Sequence, residues 1–163
     1  MFNFFKKAKK SEGTKVVSPV TGDLIPLAEV NDDVFSQKML GDGFAVKPSE
    51  GEVVSPISGT ISTLFPTKHA IGVKTPEGLE VLIHLGLDTV ELKGEPFDVQ
   101  VAQGDSVKAG QKLADMDLKK ITDSGLDDTV MVVYTNMDLL KEVKDVDPKP
   151  VKAGDTAQEI IFN

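Results

Sequence analysis

The sequence predicts an all-β protein, an antiparallel β-sandwich or barrel with an internal duplication and short helical turns. Three observations predict it. Short stretches rich in β-branched residues recur from Val16 onward, with 14 Gly and 9 Pro concentrated at turn positions and few long helical patterns. The segment VVSPVTGDLIPL (16–27) returns as VVSPISGTISTL (53–64), with six identities in twelve positions. A second unit, GDSVKAGQKL (104–113), is echoed by KPVKAGDTAQEI (149–160). Repeated strand-turn-strand units with Gly and Pro at matching places imply a sandwich assembled from two related halves.

The first ten residues, MFNFFKKAKK, stand apart. On a helix, Met1, Phe2, Phe4, Phe5 and Ala8 fall on one arc, with Lys6, Lys7 and Lys10 opposite. Ten residues are too few to hold a helix in water, so order is expected only on an anionic membrane surface. Ser11-Glu12-Gly13-Thr14 reads as a flexible joint, which divides the chain into an amphipathic segment with its joint (1–15) and a domain (16–163). Within the domain, residues 69–84, HAIGVKTPEGLEVLIH, read as a hairpin around the turn Thr75-Pro76-Glu77-Gly78. Folding about Pro76-Glu77 sets His69 directly opposite His84 on one face, Cβ atoms roughly 4.5–5.5 Å apart. Pro is a poor first residue for a primed two-residue turn, and a third loop residue with a bulge would shift the pairing by one. Leu118 to about Ser124, closed by Gly125, reads as a short helix, and so does Met137–Val143 behind Asn136 as N-cap. Between them, Thr129–Tyr134 has the composition of a buried strand.

At 163 residues the chain is long enough for one domain with a substantial core. Its net charge of −8 argues against nucleic-acid binding, which leaves a basic stripe. With no cysteine, disulfides, thiolate metal sites and cysteine nucleophiles are excluded. No apolar run approaches the roughly 18 residues of a membrane span, and no signal-peptide core follows the N-terminal lysines. A soluble cytoplasmic protein is expected, with a peripheral contact at the inner face of the membrane through residues 1–10.

His69 and His84 are the two histidines of the chain. Thr67 lies two residues before His69, where its hydroxyl can reach the ring and set its tautomer. His84 sits in Val81-Leu82-Ile83-His84-Leu85-Gly86-Leu87, a run too apolar to carry an imidazole for solubility. Gly86 leaves backbone uncovered beside that ring, so a main-chain carbonyl can accept its second N–H. An imidazole held in this way offers a free lone pair at neutral pH, as a nucleophile or a metal ligand must.

Residues 67–98, TKHAIGVKTPEGLEVLIHLGLDTVELKGEPFD, closely resemble the active-site region of enzyme IIA of the glucose class, from the bacterial phosphoenolpyruvate-dependent sugar phosphotransferase system. The resemblance extends over 16–163, with VSPVTG, GDGFAVKP, VVSPISG and GDSVKAGQ in order and spacing. It implies a phosphotransferase component in which His84 accepts a phosphoryl group from the histidine-containing phosphocarrier protein and passes it to a cysteine of a sugar-specific IIB domain. His69 maps to the second histidine, which contacts the transferring group; Thr67 maps to the threonine bonded to it, and Gly86 to the glycine whose carbonyl orients the active ring. Phe35, Phe65 and Leu82 fall on the apolar partner-binding face, with Asp32 and Asp88 at its rim. Some relatives also have regulatory targets. Pro96, where the family often has glycine, departs from the pattern in a loop away from the histidines.

The residues agree with that chemistry. One neutral imidazole can attack phosphorus while the other donates N–H to a phosphoryl oxygen. No GxxxxGK[ST] loop is present, so the group must arrive from a protein or another activated donor. A zinc-dependent hydrolase of related architecture is the alternative, yet catalytic zinc takes three protein ligands, and a carboxylate such as Asp88 would have to join the two histidines without any HExxH helix. No cofactor is required; His69 and His84 can serve as zinc ligands only in adventitious or partner-completed binding. A biotin or lipoyl carrier is disfavoured because neither Met-Lys-Met nor Asp-Lys-Ala occurs, which leaves Lys108 and Lys152 as exposed turn residues.

Overall fold

A computed structural model describes residues 13–163. The strands are β1 (Thr14–Val17), β2 (Gly22–Pro26), β3 (Gly43–Pro48), β4 (Glu52–Val54), β5 (Gly59–Leu64), β6 (Ala70–Lys74) and β7 (Glu80–Leu85). They continue as β8 (Phe97–Val99), β9 (Ser106–Val107), β10 (Lys112–Met116), β11 (Val130–Tyr134), β12 (Leu140–Val143), β13 (Lys149–Val151) and β14 (Thr156–Phe162). Two short helices, α1 (Asp33–Ser36) and α2 (Leu118–Asp123), and 3-10 turns at Leu27–Glu29, Thr89–Leu92 and Met137–Leu139 fill the connections.

All strand pairs are antiparallel. An eight-stranded sheet runs β13-β2-β3-β11-β7-β6-β5-β9, and two three-stranded sheets run β1-β14-β12 and β4-β10-β8. The small sheets supply Val16, Val53, Leu113 and Ile160 to a core whose other side is one face of the large sheet: Phe44, Val46, Ile71, Ile83, Val130 and Val132. Alternate residues of the same strands, Ile25, Ala45, Met131 and Val133, point the other way into a smaller core closed by Leu27, Val30, Phe35 and Leu87. That double burial explains the unbroken apolar run of β11, every residue of which is buried.

The duplication is visible in the backbone. Ser18 Oγ donates to Val20 O at 2.6 Å, and Ser55 Oγ donates to Ile57 O at 2.7 Å, so the Ser-Pro turn of each copy closes in the same way. The two copies then bond reciprocally, Val17 N to Pro56 O and Val54 N to Pro19 O. The VKAG turns follow suit: Gly154 N donates to Ser18 O, as Gly110 N donates to Ser55 O. The pattern is that of an approximate twofold relation.

Three expectations are corrected. The hairpin pairs Ala70 with His84, Ile71 with Ile83 and Val73 with Val81, so His69 does not face His84 directly. The loop holds three residues, Pro76-Glu77-Gly78, with Gly78 at φ +97° and Gly78 N bonded to Thr75 O, and this turn sets the register shifted by one. Met137–Val143 is not one helix: Met137–Leu139 forms a single 3-10 turn and Leu140–Val143 is a strand. Asn136 donates to Gly78 O and accepts from Glu80 N instead of capping, and Leu140–Val143 pairs with β14. Gly13 to Lys15 is not a free joint, because Thr14 pairs with Ile160 and Gly13 N donates to the Glu159 carboxylate. The amphipathic segment expected at residues 1–10 lies outside the described residues.

Candidate active site

β7 alternates inward and outward residues, with Val81, Ile83 and Leu85 buried and Glu80, Leu82 and His84 partly exposed. His84 therefore emerges on the outer face of the large sheet, beside Ala70 of β6 and Met131 of β11. A regular extension of β6 would turn His69 to the opposite face. Instead Lys68 adopts φ +58° in a turn closed by Lys68 N to Phe65 O at 2.7 Å, and the strand breaks just before Ala70. The bend brings the two imidazoles together, ring centroids 5.2 Å apart and planes at 73°. His69 O also accepts from Leu85 N, which ties the bend to the strand carrying His84.

Each ring has a fixed partner. His84 Nδ1 lies 2.7 Å from Gly86 O, and His69 Nδ1 lies 2.6 Å from Thr67 Oγ1. A carbonyl can only accept, so His84 Nδ1 carries a hydrogen and the lone pair of the neutral ring is left on Nε2. Gly86 adopts φ +88°, and a Cβ there would strike Thr89 Cγ2, so no other residue fits this turn. Desolvation by burial lowers the His84 pKa; the Gly86 hydrogen bond raises it, His69 lowers it, and Asp32 and Asp88 raise it. Burial likewise lowers the pKa of His69. Both shifts favour the neutral ring.

Phe65 packs edge-on against His69 at 5.2 Å and Phe35 edge-on against His84 at 5.0 Å. Phe65 and Leu82 are half-buried and line a groove of about 370 Å³ with Thr63, Gly72, Glu80, Val81 and Thr135. Phe35, in contrast, is only 6% exposed and belongs to the smaller core. Asp32 caps α1 through Val34 N, and Asp88, exposed at φ +61°, starts the 3-10 turn at Thr89–Leu92; both lie at the edge of a shallow depression of about 220 Å³ that holds His84.

Reading the sequence did not single out Val34, Met39, Leu40 and Val90, the exposed large hydrophobic residues among those described. Val34, Leu40 and Val90 line the depression around His84, and Met39 follows through its backbone bond to Val34 O. Only Val34 lies in a helix, and one of four residues offers no periodicity; Met39 and Leu40 follow that helix in a bend and Val90 lies in the 3-10 turn at Thr89–Leu92. The depression at His84 is open and largely apolar, with Asp32 and Asp88 at its edge; a larger open groove of about 460 Å³, lined by Thr21–Asp23, Ser49, Pro150, Val151, Lys152 and Asp155, holds no histidine. A shallow apolar surface around a reactive ring suits a protein partner better than a small molecule, which favours an enclosing pocket. Among the described residues no group of three or more His, Cys, Asp or Glu could hold a metal ion. No described helix is long and apolar enough to cross a membrane.

Residues 14–140 match the family described as phosphoenolpyruvate-dependent sugar phosphotransferase system, EIIA 1. The glucose-specific EIICBA component of Streptococcus pneumoniae is 53% identical over 130 residues, 80% of this chain and 18% of that protein. The glucose-specific EIIA component of Oceanobacillus iheyensis is 46% identical over 154 residues, 94% of this chain and 93% of that protein. Among solved structures, glucose permease IIA from Mycoplasma capricolum superimposes with a TM-score of 0.84 at 40% identity, covering 96% of this chain and 98% of the other.

Proposed function

The chain belongs to the EIIA 1 family of the phosphoenolpyruvate-dependent sugar phosphotransferase system, and we propose that His84 Nε2 carries the phosphoryl group in transit. The donor is the histidine-containing phosphocarrier protein; the acceptor is a cysteine of a sugar-specific IIB domain. The observation that carries this reading is the 2.7 Å contact of His84 Nδ1 with Gly86 O, which leaves the lone pair of the neutral ring on Nε2. The Nε2 lone pair attacks phosphorus as the donor N–P bond breaks and its electron pair returns to the donor ring. No proton has to leave Nε2, so no general base is needed. The positive charge that develops on the ring is held by Gly86 O and by the nearby carboxylates of Asp32 and Asp88. His69, with Nδ1 accepting from Thr67 Oγ1, presents Nε2–H to a phosphoryl oxygen. A thiolate of the acceptor then attacks phosphorus and the N–P pair returns to His84.

Phe65, Leu82 and the edge of Phe35, together with the exposed rim, form the face on which donor and acceptor dock in turn, with Asp32 and Asp88 meeting basic groups. This chemistry needs no cofactor. A zinc ion held by His69 and His84 would need a further ligand from a partner protein, and the hydrolase alternative gives way to the family assignment. Incubation with phosphoenolpyruvate, enzyme I and the phosphocarrier protein should place one acid-labile, alkali-stable phosphate on His84, read by mass spectrometry. Label on His69 instead would reverse the assignment.

The segment MFNFFKKAKK adds a weak contact with anionic lipid that holds this cytoplasmic protein near a membrane-embedded IIB–IIC transporter. Each lysine near such a surface contributes on the order of 1 kcal/mol. Deleting residues 1–10 should slow transfer to the membrane-embedded transporter and leave transfer to a soluble IIB domain unchanged. Equal rates to both acceptors, with no helix gained on anionic vesicles by circular dichroism, would refute the contact.

A further inference from the structure

The carbonyl that sets the His84 tautomer belongs to a pair of consecutive peptide groups, each bonded at both ends. In the Leu85–Gly86 peptide, Leu85 O accepts from Thr89 Oγ1 at 2.6 Å and Gly86 N donates to Thr129 O at 3.0 Å. In the Gly86–Leu87 peptide, Gly86 O faces His84 Nδ1 at 2.7 Å and Leu87 N donates to Asp127 O at 2.9 Å. Glycine at φ +88° has no side chain to restrict rotation, so these bonds must hold the carbonyl in place. Apart from the His84 ring itself, all but one of the groups that bond to the two peptides are main-chain. The exception is Thr89, which is fully buried and whose methyl occupies the space a Cβ on Gly86 would take. The main-chain groups of the opposing loop are in turn shaped by one carboxylate, since Asp127 Oδ1 accepts from both Thr129 N and Thr129 Oγ1.

We propose that Thr89 is a positioning residue for His84, and that with the Asp127–Thr129 loop it clamps the Gly86 carbonyl so that the imidazole keeps Nδ1–H and presents Nε2. This rests on the reading of His84 as the nucleophile. Without the hydroxyl, Leu85 O is left buried and unpaired, the 85–86 peptide turns to find a donor, and the Gly86 carbonyl leaves the ring. The ring then samples the Nε2–H tautomer, which has no lone pair where phosphorus must bind.

The experiment uses the full chain with 15N-labelled histidine. Long-range proton–nitrogen spectra report the His84 tautomer, and phosphorylation by the phosphorylated phosphocarrier protein is timed across donor concentrations. Thr89→Val should show a mixed tautomer and a kcat reduced by about tenfold with an unchanged KM, as for a small misplacement of a reacting group. Thr89→Ser, which restores the hydroxyl, should return both readings to those of the unmodified protein. A Thr89→Val protein with the original tautomer and rate, or a loss confined to KM, would overturn the proposal, and so would a Ser variant as impaired as Val. If Thr89→Val does not fold, Asp127→Ala, made in a partly exposed loop, carries the test: the original tautomer there overturns the clamp, and a mixed one upholds it. The spectra read the ring whether or not it takes up phosphate. Absence of label on His84 in the unmodified protein would therefore sink the functional reading separately.

Discussion

Burial lowers the His84 pKa and favours the neutral ring, the form that the proposed phosphoryl transfer requires. Acceptance of phosphate should be flat near pH 7 and fall as pH drops through a midpoint below the ordinary histidine value of about 6.5. The same displacement acts on stability. A folded pKa below the unfolded one means that the unfolded chain binds more protons, so stability is full above about pH 6.5 and declines as pH falls through the folded pKa. Replacing His69 with Gln removes a neighbour that depresses the His84 pKa, so the rate midpoint should rise while labelling survives. Onward transfer to IIB should fall by about a hundredfold, as for the loss of one preorganised donor. An unchanged midpoint by histidine NMR, or transfer at the original rate, would contradict that role. His84→Gln should fold and take up no label. The Gly86 bond was readable from sequence because a ring and a carbonyl two residues apart are joined by local geometry. The meeting of the two rings was expected too, but by direct pairing; the structure reaches it through the three-residue loop at Pro76–Gly78 and Lys68 in a left-handed conformation that lysine rarely adopts.

The short helix α1 shows how an element can carry two jobs that its sequence does not separate. DVFS offers two apolar residues, and the structure buries Phe35 against Leu87 and Met131 while leaving Val34 40% exposed. Phe35→Asp should therefore cost stability by about 3 kcal/mol or more, because a charge is placed in a closed core. Met39→Asp and Val90→Asp, made at exposed positions, should leave the denaturation midpoint nearly unchanged and weaken binding of the phosphocarrier protein by about tenfold, a typical interface effect. Calorimetric titration with unaltered affinity in both variants would place the docking face elsewhere. The helix read at Met137–Val143 failed for a related reason. Asn136 is a good cap by residue type, but its amide is engaged by Gly78 and Glu80 on the hairpin that carries His84.

Across the whole molecule, the duplicated Ser-Pro turns make a quantitative expectation. Ser18 and Ser55 are both fully buried and bonded alike, so Ser18→Ala and Ser55→Ala should each lower stability by a similar amount, about 1–3 kcal/mol, from an orphaned carbonyl. A large difference between the two in urea unfolding would mean that the halves are alike in sequence and unlike in load. Tyr134 joins the large sheet to the β1-β14-β12 sheet, its hydroxyl donating to Gln158 Oε1 at 2.8 Å, and neither residue announces this partnership in the sequence. What the sequence determined by itself was local or repetitive: the alternation that makes strands, the Gly and Pro turns, the two-copy architecture, the helix ended by Gly125, and the pairing of His84 with Gly86 and of His69 with Thr67. Each depends on residues a few positions apart or on a pattern repeated along the chain, and φ/ψ preference and side-chain period act at that range. The tertiary structure alone decided the hairpin register, the bend at Lys68 through which the two rings still meet, the burial of Phe35, and the exposure of Val34, Met39, Leu40 and Val90. Those depend on which distant groups come to lie against each residue, as Asp127 and Thr129 come to lie against Gly86, and desolvation and packing are properties of that assembled neighbourhood.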